Sequence, residues 1–305
     1  MEFELKTPVA FLVFNRPDTT QRVFEEIRRA RPPQLLVVAD GPRVDRIGEV
    51  EKCQAVRTII EAVDWPCEVI KNYSEVNLGC KVRMSSGIDW VFEQVEEAII
   101  LEDDCLPHPT FFQFCQELLE KYRHDLRIAQ ISGCNFQFGS RRNEDSYYFS
   151  KYNHIWGWAS WRDRWQGCYD VNMALWPRVR DEGWLLDMMS NKKEAFRWTD
   201  IFNDVHQGKI DTWDFQWTFA CWLQGRLTAL PNWNMISNIG FGAEATHTTT
   251  ENKFANIPNC CLRFPLTHPI GVVCNRIMDA RVFKSNIEVP FRARLRQKIH
   301  RMIKQ

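Results

Sequence analysis

Glu102-Asp103-Asp104 is a run of three carboxylates that follows the apolar residues Ala98 to Leu101. Like charges packed this closely raise one another's pKa and resist ionisation, so something positive is expected beside them. Hard oxygen donors suit Mg²⁺ or Mn²⁺, and such an ion also bridges the oxygens of a diphosphate. A cation placed there meets the charge that builds on a departing nucleoside diphosphate, which is the electrostatic need of glycosyl transfer. Taken alone, the triplet fits a solvated loop as well.

The surrounding pattern places the triplet at a strand end. Pro8 to Phe14 is a short apolar run closed by Asn15-Arg16-Pro17, which reads as a buried strand. Asp18 and Gln21 resemble a capping box, with Val23, Phe24, Ile27 and Ala30 at helical spacing, so a helix is expected at about 19–30. Gln34 to Ala39 is a second strand that stops at Asp40-Gly41-Pro42-Arg43. A helix near 48–63, a strand at Glu68 to Ile70, and a helix from Lys81 carrying Met84, Ile88, Val91, Phe92 and Val95 lead to the fourth strand. Alternating strands and helices imply a mainly parallel sheet, whose ligands bind beyond the carboxyl ends of the strands. Arg16, Asp40 to Arg43 and Glu102 to Asp104 should therefore line one crevice. Within the triplet, strand alternation would turn Glu102 and Asp104 to one side and Asp103 to the other.

The second half differs in composition: 11 of the 13 tryptophans lie between Trp156 and Trp233. Flat apolar faces with a polar edge suit sugar rings, so His154-Ile155-Trp156-Gly157-Trp158 is a candidate saccharide platform, with core filling as the simpler account of each ring. Lys81 and Arg83 are candidates for the diphosphate or uracil, or else solvated helix-surface charges. His247, after the glycine-rich run from Asn238 to Gly242, is a candidate metal or diphosphate contact; a lone histidine is more often structural.

Bulk properties exclude several classes. Of 305 residues, 45% are hydrophobic and 26% charged, with 39 basic and 39 acidic residues, so no global field draws the chain to nucleic acid. Neither a secretory signal nor a membrane-spanning run is evident, and a cytoplasmic location is expected. The eleven cysteines are scattered without a C-x-x-C pair, which favours reduced, mostly buried thiols; Cys260, Cys261 and Cys274 receive no chemistry. The basic tail from 289 to 305 fits peripheral contact with a membrane, and equally a solvated terminus.

With these residues in view, the chain resembles the GT-A glycosyltransferases. The resemblance rests on Val13-Phe14-Asn15-Arg16, Asp40-Gly41, Glu102-Asp103-Asp104 followed by Pro109-Thr110-Phe111-Phe112, then Gly157-Trp158 and Trp213-Asp214, and it covers about residues 8–250. Within that group the chain is most similar to inverting N-acetylglucosaminyltransferases and to bacterial family-2-like (haemolysin-like) transferases. The resemblance implies an α/β GT-A fold, with a nucleotide-binding half at about 1–135 and an acceptor-side half at about 136–288. It implies Arg16 and Asp40 on the nucleotide, Glu102 on the donor sugar, Asp103 near the ribose, Asp104 on Mn²⁺ or Mg²⁺, and Asp214 as catalytic base. Where the family has Trp-Asp-Asp-Trp, this chain has Trp213-Asp214-Phe215-Gln216-Trp217, which leaves Asp211 as a second candidate base; without the resemblance, capping the helix through Trp217, Phe219 and Trp222 accounts for Asp214 equally well.

The function expected from sequence is thus metal-dependent, inverting transfer from a nucleotide diphosphate-sugar, UDP-linked, to a saccharide acceptor bound by Trp156, Trp158 and Trp213. Two alternatives stand beside it. A sugar nucleotidyltransferase would share the crevice but needs a glycine-rich loop after the first strand. A non-catalytic carbohydrate-binding protein would use the tryptophans and leave the acidic triplet idle.

Overall fold

The computed structural model describes residues 3–241 and 253–288. Strands and helices alternate first: β1 (Val9–Val13), α1 (Pro17–Ala30), β2 (Gln34–Ala39), α2 (Glu49–Ile60), β3 (Glu68–Tyr73), α3 (Gly79–Gln94) and β4 (Glu97–Glu102). There follow β5 (Cys105–Pro107), α4 (Thr110–Tyr122), β6 (Ile128–Ser132), β7 (Tyr147–Ser150) and β8 (Trp158–Trp161). A helical segment comes next, with α5 (Arg162–Trp165), α6 (Trp176–Asp181), α7 (Leu185–Met188), α8 (Lys192–His206) and α9 (Asp214–Leu223). The described chain closes with β9 (Leu227–Pro231), β10 (Ile236–Asn238) and α10 (Arg276–Val282), which runs into a π-helical turn at Phe283–Ile287.

Eight strands form one sheet in the order β3-β2-β1-β4-β8-β6-β9-β7. The first four run parallel, β8 is antiparallel to both neighbours, β6 and β9 are parallel, and β7 closes the edge antiparallel. The architecture is therefore α/β, with a mainly parallel central sheet flanked by helices, as the resemblance implies. No helix among the described residues is long and apolar enough to cross a membrane.

Strand alternation divides the core into two faces. Val9, Phe11 and Val13 of β1 join Val37 and the buried faces of α1, α2 and α4, while Ala10 and Leu12 join Leu36, Val38 and the Ile88, Val91 and Phe92 face of α3. A strand covered on both faces must be apolar throughout, and every residue of β1 is buried. A third cluster, built on Trp176, Trp198, Phe202 and Trp222, binds α6 to α9 together.

Two element boundaries depart from the sequence reading. Helix α1 starts at Pro17 with Arg16 at the N-cap and no side-chain cap, so Asp18 and Gln21 form no capping box. Proline's fixed φ and missing N–H suit the first helical turn, and Asp18 there complements the helix dipole. Helix α3 begins at Gly79, where φ is +77° and the chain turns sharply into the helix.

The tryptophans mostly fill core. Trp158 is fully buried, with Trp165, Trp213 and Trp217 at centroid distances of 6.0–6.1 Å, so it is no saccharide platform. His154 is also buried, against Phe136, and burial lowers its pKa to about 3. We expect Trp158→Ala to cost about 3–5 kcal/mol in urea unfolding, the usual penalty for emptying a buried aromatic site. Trp156→Ala, at a partly exposed position, should cost less than half of that; equal losses would refute this division of roles.

Candidate functional site

The carboxyl ends of β1, β2 and β4 open onto a cavity of about 630 Å³. Arg16, Asp40, Arg43 and the three residues Glu102, Asp103 and Asp104 line its sheet side, so the strand ends do converge. Ile155, Trp156, Asp211 to Phe215, Asn238, Gly240 and Phe241 also line it. This is where an open parallel sheet presents its ligand site.

The three carboxylates have three different environments. Asp103 is 8% exposed, and its Oδ2 accepts the Phe14 N–H at 3.0 Å, which ties the end of β4 to the end of β1. Burial, reinforced by Asp104, raises its pKa to about 7. Glu102 projects from the last position of β4; its Oε1 is buried and meets no hydrogen-bond partner among the described residues. Burial first, then Asp104, Asp103 and Asp214, push the Glu102 pKa well above the carboxylate range. Asp104 pairs with Arg16, Oδ2 to Nη1 at 2.7 Å, and its Oδ1 lies 3.5 Å from Asn238 Nδ2. Burial works against the Arg16 charge, but Asp103, Asp104 and Glu102 outweigh it, and the guanidinium pKa is raised. Arg16 is thus the positive charge that the triplet required.

The β5–β10 ribbon completes this corner. Asn238 pairs with Cys105 and the Ile239 N–H reaches the Asp104 carbonyl at 2.8 Å, so residues 238–240 lie across Asp104. Gly240 is there for space: a Cβ would come within 2.0 Å of Asp104 Oδ2 and 2.6 Å of Arg16 Nη1.

At the end of β2, Asp40 is 6% exposed and accepts four hydrogen bonds. Its oxygens take the N–H groups of Gly41 (2.9 Å), Leu78 (3.0 Å) and Gly79 (3.2 Å) and the Asn77 amide (3.0 Å). Burial raises its pKa against those bonds and against the nearby Arg83. Asp40 thereby shapes the loop at the start of α3. Arg43 bonds Glu49, with Nε 3.0 Å from Oε2, and stands 5.5 Å above the Phe14 ring.

Asp214 is the first residue of α9, with Trp213 at the N-cap, and Asp214 Oδ1 accepts the Thr212 hydroxyl. It thus opens the helix without being its cap. Its charge acts on Glu102, whereas Asp211 Oδ2 lies over Gly79, where a Cβ would stand 3.9 Å from it. The two aspartates therefore face different parts of the cleft. Cys80 lines the same cleft: burial first, then Glu102, Asp214, Asp211 and Asp40, raise its pKa to about 12.

Other sequence candidates fall differently. Arg83 lines the cleft but is buried and bonds Asn72 Oδ1 at 2.9 Å, so it is not a solvated surface charge, and burial lowers its pKa. Lys81, two residues earlier, lies outside the cleft wall. Trp156 lines the cleft partly exposed; Trp213 also borders it but is 3% exposed and stacked on Trp158. His247 and the basic tail lie outside the described residues. All eleven cysteines are free thiols; Cys260 and Cys261 are exposed, and Cys274 Sγ is 3.1 Å from Asp279. Sequence reasoning passed over Cys80 and Asn238. The glycine-rich run at 238–242 flagged Asn238's neighbourhood, but the β5–β10 pairing that brings it to Asp104 has no local signature.

Among the described residues, no three His, Cys, Asp or Glu side chains gather as ligands of one ion. One carboxylate at Asp104 still fits Mg²⁺ or Mn²⁺, because such ions are commonly held by one or two carboxylates together with phosphate oxygens and water.

No family model matches the chain, and no curated protein matches it in sequence. Solved structures match in shape at 10% identity. One is S. aureus TarS (residues 1–349), with a TM-score of 0.40 over 75% of this chain and 58% of that one. Another is UDP-glucose pyrophosphorylase complexed with UDP-glucose, at 0.36 over 74% and 90%. A third is 4-diphosphocytidyl-2C-methyl-D-erythritol synthase from Anaerococcus prevotii, at 0.33 over 64% and 84%. The fold assignment rests on the strand order of this chain.

Asp40→Ala strands three backbone N–H groups and an amide, so we expect about 2–4 kcal/mol of lost stability in urea unfolding. Amide exchange at Leu78 and Gly79 should accelerate at the same time; unchanged exchange would deny Asp40 its hold on that loop.

Proposed function

We propose that the protein is a metal-dependent glycosyltransferase that moves a sugar from a nucleoside diphosphate-sugar, UDP-linked, to a saccharide acceptor with inversion at the anomeric carbon. One observation carries the reading: Asp104, Asp214 and Glu102, whose buried Oε1 meets no hydrogen-bond partner among the described residues, all line a single cavity at the carboxyl ends of parallel strands. The β1–α1 connection, Phe14-Asn15-Arg16, contains no glycine and offers no backbone cradle for a triphosphate, which disfavours nucleotidyl transfer.

Each residue then has a task that its surroundings suit. The loop pinned by Asp40, together with Phe14 and Arg43, borders the nucleotide. Arg16 and Asp104 face the diphosphate; Asp104 would hold Mg²⁺ or Mn²⁺, which supplies countercharge to the leaving group. A Glu102 carboxyl that retains its proton donates a hydrogen bond to a donor-sugar hydroxyl. Asp214, oriented by the Thr212 hydroxyl, takes the proton from the acceptor hydroxyl as its oxygen bonds the anomeric carbon and the bond to the diphosphate breaks. Asp211, over Gly79, is placed toward the nucleotide side. Trp156 offers a partly exposed ring to the acceptor.

Two sets of variants test this. Asp104→Ala and Gly240→Ala should each abolish the Mn²⁺-dependent thermal shift produced by UDP while the protein stays folded; a shift that persists in both removes Asp104 from the metal. Asp214→Asn should bind donor normally and lose about a hundredfold to ten-thousandfold in turnover, whereas Asp211→Asn keeps most activity. The reverse pattern would move the base to Asp211. Full activity in both variants would end the single-displacement mechanism with a base in this segment.

A further inference from the structure

Six carboxylates line the cleft, and five of them are already occupied or neutralised. Asp40 accepts two hydrogen bonds on each oxygen, from Gly41 and Leu78 on Oδ1 and from Asn77 and Gly79 on Oδ2. A carboxylate offers about four lone-pair positions, so Asp40 has nothing left for a ligand. Asp103 takes the Phe14 N–H, Asp104 pairs with Arg16, Asp214 takes the Thr212 hydroxyl, and burial moves Glu102 toward its neutral form. Asp211 differs. It is exposed, and it accepts no hydrogen bond and forms no ion pair with any described residue.

Its place is nonetheless defined. Asp211 lies in the connection between α8 and α9, and its Oδ2 stands 3.9 Å from where a Cβ on Gly79 would be, at the start of α3. Helix α3 has 16 residues, no side-chain cap and no acidic residue in its first turn, so the positive end of its dipole attracts this carboxylate. The same backbone is pinned by Asp40 through the Leu78 and Gly79 N–H groups. The two aspartates thus serve one corner differently: Asp40 fixes its backbone, and Asp211 brings an open pair of acceptor oxygens to it. The neighbouring cleft residues of α3 do not compete as acceptors, since Arg83 only donates and the Cys80 thiol, with its pKa raised to about 12, keeps its proton.

We propose that Asp211 is a specificity residue for the donor nucleotide, accepting hydrogen bonds from the 2′- and 3′-hydroxyls of its ribose. The inference rests on the transferase reading of the cleft and deepens it. A vicinal diol presents two O–H donors side by side, which match the two oxygens of one carboxylate. A ribose links base to diphosphate, so it lies between the loop that Asp40 pins and the Arg16–Asp104 pair, both of which share the cleft with Asp211. Asp103, which the resemblance places near the ribose, is 8% exposed and has one oxygen taken by Phe14, so it offers a diol at most one acceptor. Because Asp211 is exposed, water replaces a lost partner there, and the discrimination is moderate.

The test uses the full chain with Mn²⁺ and four nucleotides: UDP, its 2′-deoxy and 3′-deoxy forms, and CDP. The unsubstituted protein should bind UDP about tenfold to a hundredfold more tightly than either deoxy form, the scale of one hydrogen bond to a charged group. Asp211→Ala should bring UDP down to the level of the deoxy forms and leave the deoxy affinities unchanged. Asp211→Asn, which keeps one acceptor oxygen, should retain part of the preference. Equal weakening of UDP and both deoxy forms in Asp211→Ala would mean that the carboxylate acts only through α3, and overturns the proposal. A ribose preference that survives Asp211→Ala overturns it as well. A preference for UDP over CDP that disappears in Asp211→Ala, with no response to either deoxy form, overturns it in favour of a contact with the base. Failure of all four nucleotides to bind removes the transferase reading and this inference with it.

Discussion

Three consecutive carboxylates at the end of a buried strand are the constraint on which the rest of this site depends. Left alone they would repel one another and distort the end of β4. The fold resolves the conflict by giving each a different environment. Asp103 is tied to the Phe14 N–H, Asp104 is paired with Arg16, and Glu102 is moved by burial toward its neutral form. Each solution requires a neighbouring strand end at the right height, so the parallel register of β1 and β4 and the arrangement of the charges are one requirement.

The same requirement shapes the loops. Residues 238–240 must cross Asp104 closely enough that only glycine fits at 240, and the β5–β10 ribbon holds them there. At β2, Asp40 organises the turn into α3 by accepting bonds from Gly41, Leu78 and Gly79. Gly41 itself could not carry a side chain, since a Cβ would stand 2.5 Å from the Val76 carbonyl carbon. Much of the polar equipment at this sheet edge thus holds backbone in place, and the groups facing open cleft are correspondingly few. Such division between holding and reacting groups is what preorganisation requires.

The tryptophan-rich segment shows how composition can mislead about role. Eleven tryptophans between 156 and 233 suggested sugar platforms, yet Trp158, Trp165, Trp176 and Trp217 are among the most deeply buried side chains. Trp158, Trp165 and Trp217 pack α5 and α9 against the sheet, and Trp176 packs α6 against α8 and α9. In the cleft wall itself, Trp156 and Phe241 are only partly buried.

Local pattern was enough to determine the alternating β1–β4 half, the polar residues at its strand ends and the need for a cation near Glu102 to Asp104, because periodicity and charge repulsion act over a few residues. The start of α1 was misjudged by two residues, since Pro17 and Asp18 compete for the same signal and proline's missing N–H prevails. Which cation answers the triplet, which tryptophans are core, how Asp211 and Asp214 divide the cleft, and how Asn238 comes to Asp104 were decided only by tertiary structure. These depend on contacts between residues that are far apart in the chain, such as Arg16 with Asp104 and Cys105 with Asn238. Burial and pairing across such separations are properties of the packed sheet and its loops, and no local periodicity encodes them.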